Sequence, residues 1–245
     1  MAVVTFAAAL TAVVGGPTVH AHADATAIYA EHCAPCHGPD GRGDGPGAYL
    51  LFTPPRSFRR AQYRLVSTWE RTPTDDDLFA AITRGLPGTP MPSWSALPEA
   101  DRRALVPLLE AFADHPWTPA PSRAPAPDGT GGTGVIVVPP EPADAHTNHA
   151  RAYALFRDAC APCHGATGHG DGRDDLVDDD GHPVRPSDLT LGVFKGDRSP
   201  EGLYRRIVAG MPGTAMPANA WAYGDGAWYL VRYVLALSTA AARGR

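Results

Sequence analysis

Every cysteine of this chain lies in one of two identical pentapeptides, Cys33-Ala34-Pro35-Cys36-His37 and Cys160-Ala161-Pro162-Cys163-His164. Two thiols with two residues between them, followed at once by an imidazole, can hold zinc, exchange disulfides or carry a c-type haem. In the haem case each thiol adds across a vinyl group of the porphyrin, and the histidine is held beneath the iron as its proximal ligand. Zinc ribbons separate their cysteine pairs by some 15–20 residues, whereas these pairs are offset by 127 positions. A thioredoxin-like pair expects a strand–helix–strand context that neither motif has. Structural disulfides give no reason for a histidine after both pairs. Two copies with no spare cysteine point to two covalently bound haem c groups.

The repeat extends well beyond the pentapeptides. His37–Gly45, HGPDGRGDG, matches His164–Gly172, HGATGHGDG, and Asp77–Pro92, DLFAAITRGLPGTPMP, matches Gly202–Pro217, GLYRRIVAGMPGTAMP. The offset falls from 127 to 125 between the two blocks, so the copies differ by a net two residues in the intervening loop. In this register Met91 aligns with Met216, and Met211 aligns with Leu86. Met91 and Met216 are therefore the candidate sixth ligands, against the competing reading of plain core. A thioether is a soft, neutral ligand, and His/Met ligation raises the reduction potential of a haem. Met211, leucine in its twin, reads as packing.

These residues need helices to position them. The residue four before each first cysteine is aromatic (Tyr29, Phe156) and the residue eight before it is alanine (Ala25, Ala152). That spacing puts all three on one helix face. The partner is expected to be the last helix of each copy, where Leu105, Leu108, Leu109 and Phe112 recur at helical spacing, as do Leu230, Tyr233, Val234 and Leu237. Pro107 should kink the first of these unless the helix begins late. A middle helix should precede each methionine loop, opening at Thr74 with Asp75–Asp77 and at Ser199 with Pro200 and Glu201. Both carry a capping hydroxyl and acidic residues where the helix dipole favours them. The run Asp178–Asp180 before Gly181 fails the EF-hand register and reads as a solvated loop. The remaining histidines, His32 among them, read as surface residues. Arg56 and Arg185 occupy similar proline-rich loops and read either as partners of haem carboxylates or as ordinary exposed arginines.

Residues 1–23 read as an export signal: an apolar run, VVTFAAALTAVV, followed by Ala21-His22-Ala23, with cleavage after Ala23. No basic residue precedes the run, which departs from the pattern. It is also shorter than the roughly 20 apolar residues of a spanning helix, so no membrane span is expected in the mature chain. Residues 115–147 are rich in proline and glycine and read as a semi-rigid linker. Its apolar run Gly134–Val138 is expected to lie along one domain and fix the relative placement of the haems. The formal charge of −5, with no basic patch, excludes a nucleic-acid binder.

Taken with the aromatic position, the Met-Pro loop and the closing helix, each copy resembles a class I cytochrome c domain. The resemblance covers 24–114 and 148–245, and the whole chain resembles a bacterial dihaem cytochrome c serving periplasmic dehydrogenases and respiratory chains. It implies an all-α fold of two tandem domains. It also implies thioether links at Cys33, Cys36, Cys160 and Cys163, proximal ligands His37 and His164, and distal ligands Met91 and Met216. A proline carbonyl that orients the proximal histidine is a feature of such families, but the loops after Gly45 and Gly172 diverge too far to place it. The implied role is periplasmic single-electron transfer with redox partner proteins: a dehydrogenase, an oxidase or other cytochromes. The alternative is a dihaem redox enzyme of the cytochrome c peroxidase or thiosulfate dehydrogenase type. Catalysis at iron needs an open coordination position, and two symmetric His/Met sets leave none.

Overall fold

The computed structural model describes residues 24–115 and 132–243. The export signal read over 1–23 and linker residues 116–131 lie outside the described residues. Each half begins with a helix, α1 (Ala25–His32) or α5 (His149–Ala159), capped by the side chain of Asp24 or Asn148. Each then turns into a one-turn helix carrying the CAPCH motif, α2 (Ala34–His37) or α6 (Ala161–His164). The first cysteine is the joint. The Cys33 amide donates to Tyr29 O (2.9 Å) and its carbonyl accepts from His37 N (2.8 Å); Cys160 does the same with Phe156 and His164 (2.8 Å each).

The middle helices are α3 (Asp75–Arg84) and α7 (Pro200–Ala209), and the closing helices are α4 (Glu99–Ala111) and α8 (Asp225–Arg243). As expected, α1 packs on α4 and α5 on α8. Tyr29 and Phe156 are buried at these crossings, as is Ala152, while Ala25 is only partly covered. The α3 cap is reciprocal. Asp77 N donates to Thr74 Oγ1 (3.1 Å) and Thr74 N to Asp77 Oδ2 (3.0 Å), which assigns the acidic run to helix initiation. Helix α4 does not begin late: it runs straight past Pro107 in sequence. The ring sits on the exposed face, where water can satisfy the carbonyl left without an amide donor.

The first core gathers Ile28, Tyr29, Phe58, Leu78, Ile82, Leu105, Val106 and Leu109. The second gathers Phe156, Leu203, Tyr204, Trp228, Leu230, Val231 and neighbours, but also Val66 from the first half and Ile136 from between the halves. Ile136 is fully buried. Its amide donates to Ser67 O (2.7 Å), and Trp69 N donates to Gly134 O (2.9 Å). Further along, Tyr223 Oη donates to Val137 O (2.9 Å) and Trp228 Nε1 to Pro139 O (3.0 Å). The apolar run thus lies along the second half, as its hydrophobicity demands.

The difference in loop lengths explains how the halves meet. Phe58 and Leu189 hold equivalent places, each donating its amide to the glycine at Gly41 or Gly168. From there to the capping residue the first copy is six residues longer (58–74 against 189–199), and the excess carries Tyr63–Trp69 into the second core. Between the glycine after the motif and Pro55 or Pro186 the second copy is four residues longer (172–186 against 45–55). That excess forms a turn closed by the antiparallel bridge Val177–Pro183. Among the described residues no helix is long and apolar enough to cross a membrane.

Candidate haem sites

In the first half Cys33, Cys36, His37 and Met91 line one cavity of about 400 Å³, together with Ile82, Leu86, Pro90, Trp94, Leu105 and Leu109. The volume lies within the range of small-molecule and cofactor pockets, and the walls are predominantly apolar, as a porphyrin requires. His37 is oriented from behind. Its Nδ1 lies 3.3 Å from Arg56 O, and a carbonyl only accepts, so Nδ1 carries the proton and Nε2 keeps a lone pair that could ligate a metal. Phe58 stacks on the imidazole with ring centroids 4.5 Å apart. Burial pushes the pKa of His37 down, although the Arg56 carbonyl opposes it; the neutral imidazole is the ligating form.

His164 is held in the same way, Nδ1 lying 3.1 Å from Ser187 O, and burial again pushes its pKa down. Burial also pushes the Cys33 and Cys160 thiols up to about 11, with the neighbouring cysteine adding to the effect. Thiols so far from thiolate character make poor exchange nucleophiles, which argues against a thioredoxin-type pair.

The methionine loops repeat bond for bond. Leu86 N donates to Met91 O and Met211 N to Met216 O, each at 3.1 Å. Thr89 Oγ1 donates to Leu86 O and Thr214 Oγ1 to Met211 O, each at 2.7 Å. The same hydroxyls accept from Met91 N (3.3 Å) and Met216 N (3.1 Å). Gly85 and Gly210 open the loops at φ +68° and +69°. A Cβ on either would stand 2.4–2.5 Å from the carbonyl of Pro92 or Pro217; only glycine lets the two ends of the loop close so tightly. Met211 is buried, and Met216 only partly so.

Several sequence expectations need correction. The carbonyl behind each histidine belongs not to a proline but to the residue after one, Arg56 or Ser187, while Pro55 and Pro186 lie over Gly43 and Gly170. Arg56 is consequently the counterpart of Ser187 and not of Arg185; the four-residue insertion had brought similar letters into a false match. Two largely buried cations line the first cavity, Arg56 and Arg64 (the latter 9% exposed), and the Nε of each has no partner. An orphaned guanidinium nitrogen in the cavity wall fits the carboxylate edge of a haem. His32 is not simply on the surface: it lines the cavity and packs against Trp94 at 5.1 Å. The acidic run is not simply solvated. Asp178 is buried, accepting from Asp180 N (3.0 Å) and His182 N (2.9 Å), and Asp180 pairs with Arg60 at 2.5 Å.

Paired all-α units of this kind, each carrying CxxCH on a short helix and a Met-Pro loop after its middle helix, are cytochrome c domains, and such domains imply covalent haem c. One cavity gathers the two motifs in the first half. The chain belongs to the family described as cytochrome c oxidase, cbb3-type, subunit III, whose model matches residues 20–108 and 147–234. Among solved structures it is similar to a chain of the reducing HAO-like protein complex of Kuenenia stuttgartiensis. The two share 32% identity with a TM-score of 0.76, over 88% of this chain and 96% of that one. No curated protein matches. The chain is an electron-transfer cytochrome.

Proposed function

We propose that this chain is a periplasmic dihaem cytochrome c that moves single electrons between a dehydrogenase and a respiratory acceptor. Cys33 and Cys36 carry one haem and Cys160 and Cys163 the other. His37 and Met91 are the axial ligands of the first iron, and His164 and Met216 those of the second. When bound, each haem supplies a one-electron Fe(III)/Fe(II) couple. The protein's part is to hold a neutral imidazole at a fixed angle, present a thioether opposite it, and exclude water with apolar walls.

The observation that carries this reading is the identity of the two methionine loops, hydrogen bond for hydrogen bond. Two equivalent His/Met sets leave no coordination position open to a substrate, which favours transfer over turnover. Family membership alongside an oxidase subunit, and likeness to a chain of an HAO-like complex, support a partner that is itself a redox protein. The export signal read over 1–23 supports the periplasm.

The test is intact mass of the denatured chain, followed by carbon monoxide binding to the reduced native protein. Two covalent haems and no carbon monoxide complex are expected. One haem, a ready carbon monoxide complex, or turnover with peroxide or thiosulfate would overturn the reading.

A further inference from the structure

The two ends of Arg56 serve different halves of the molecule. Its carbonyl faces His37 Nδ1 at 3.3 Å. Its side chain borders the first cavity and also crosses the interface, where Nη2 donates to Pro212 O at 3.4 Å. The guanidinium fills the space above Gly213: a Cβ there would stand 2.2 Å from Nη1 and 2.4 Å from Cζ. Pro212 and Gly213 are the turn of the loop that Met216 closes, and Gly213 sits at φ +66°. The Arg56 side chain is only 13% exposed and its Nε has no partner, so its charge is poorly screened by water. Asp180 Oδ2 stands 3.8 Å from Nη1, and Asp178 and Asp179 add negative field while Arg60 opposes it.

The first methionine loop is touched differently. At its equivalent turn glycine, Gly88, an added Cβ would stand 3.8 Å from Val193 Cγ1 of the second half. Each half therefore covers the other's methionine loop, one with a cation and the other with a methyl group.

We infer that Arg56 is a positioning residue for the second centre, a reading that rests on Met216 being the ligand there. The Nη2–Pro212 bond braces the turn that presents Met216, and the desolvated charge favours the reduced, less positive state of that centre. The first centre has no such brace, because what holds His37 is the backbone of residue 56, although the Arg56 charge also borders the first cavity. One residue thus makes two nearly identical sites unequal.

The experiment uses the full-length holoprotein, with the centres read one at a time in Met91→Leu and Met216→Leu backgrounds. Two quantities are measured: the midpoint potential, and the affinity of imidazole as a displacing ligand for the ferric iron. In Arg56→Met the second centre should bind imidazole roughly tenfold more tightly, a change equivalent to about 1.4 kcal/mol. Its midpoint should fall, while the imidazole affinity of the first centre stays as it was. Arg56→Lys should recover part of the potential but not the brace, since an ammonium lacks the planar fork. Gly213→Ala, which evicts the guanidinium without removing it, should reproduce the loosened loop and serves if Arg56→Met fails to fold. An unchanged second centre, or equal shifts in both centres, would overturn the inference. A parent protein with no methionine–iron signal at the second centre would instead overturn the ligand reading itself, before any variant is compared.

Discussion

Met211 N donates to the carbonyl of Met216 across 3.1 Å, the bond that Leu86 makes to Met91 in the first half. Met211 and Met216 thus close the two ends of a loop whose turn is Pro212-Gly213, and Met211 is the more buried of the two. Replacing Met216 with Leu should abolish one methionine–Fe(III) charge-transfer band and lower that haem's potential, because the soft thioether is gone. Met211→Leu should keep both bands and cost under about 1.5 kcal/mol, as volume-conserving core exchanges do. The absorption spectrum of each ferric variant decides. Loss of a band in Met211→Leu would mean that the second loop does not work like the first.

The parts of this molecule legible in the sequence are those written in local spacing. CAPCH, the aromatic four residues ahead and the Thr74 cap all join residues within two helical turns of one another, and each stands where expected. The repeat also aligns Met216, not Met211, with Met91. The acceptor behind His37 was hidden because a backbone carbonyl leaves no mark on residue type. The docking of Asp180 on Arg60 was hidden for another reason: the partners are 120 positions apart, in loops with no counterpart in the other copy. The apolar run at Gly134–Val138 shows the middle case. Hydrophobicity said that it would be covered, while only the fold says that Ser67 and Val66 do the covering.

Ile136 closes the second core from outside the second half, fully buried and tied by its amide to Ser67. Ile136→Ala should cost about 2–5 kcal/mol, the range for truncating a buried aliphatic side chain. Val135→Ala, at a partly exposed neighbour, should cost less. Denaturant unfolding of both holoproteins measures the difference. If Ile136→Ala is as harmless as Val135→Ala, the segment merely rests on the second half instead of completing its core.

Asp77 concentrates three hydrogen bonds on Oδ2, from Thr74 N (3.0 Å), Ser67 N (2.9 Å) and Ser67 Oγ (2.9 Å). It joins the α3 cap to the strap that enters the second core. Asp77→Ala should cost about 2 kcal/mol, at the upper end for a lost cap. Asp76→Ala, at an exposed position of the same run, should stay within about 0.5 kcal/mol. Equal effects in thermal unfolding would show that the acidic run acts only through its summed charge on the helix dipole.

Glu141 ties the segment between the halves to α8 through a two-point contact with Arg232. The hydrogen bond from Arg232 holds the Glu141 carboxyl below the usual glutamate range, with burial opposing and the Arg232 charge assisting. The unfolded chain therefore takes up the proton at higher pH than the native one. The stabilisation is present above the ordinary glutamate pKa of about 4.3 and disappears as pH falls through the lower native value. Glu141→Gln should cost about 1 kcal/mol at pH 7, as befits a partly exposed pair, and less near pH 3, as the carboxylate takes up its proton. His146 Nε2 lies 3.2 Å from the same carboxylate, so both chains should carry His146→Ala to keep the imidazole from contributing. Guanidinium unfolding of the pair at the two pH values gives the result. A penalty that is the same at both would show that the contact depends on shape and not on the carboxylate charge.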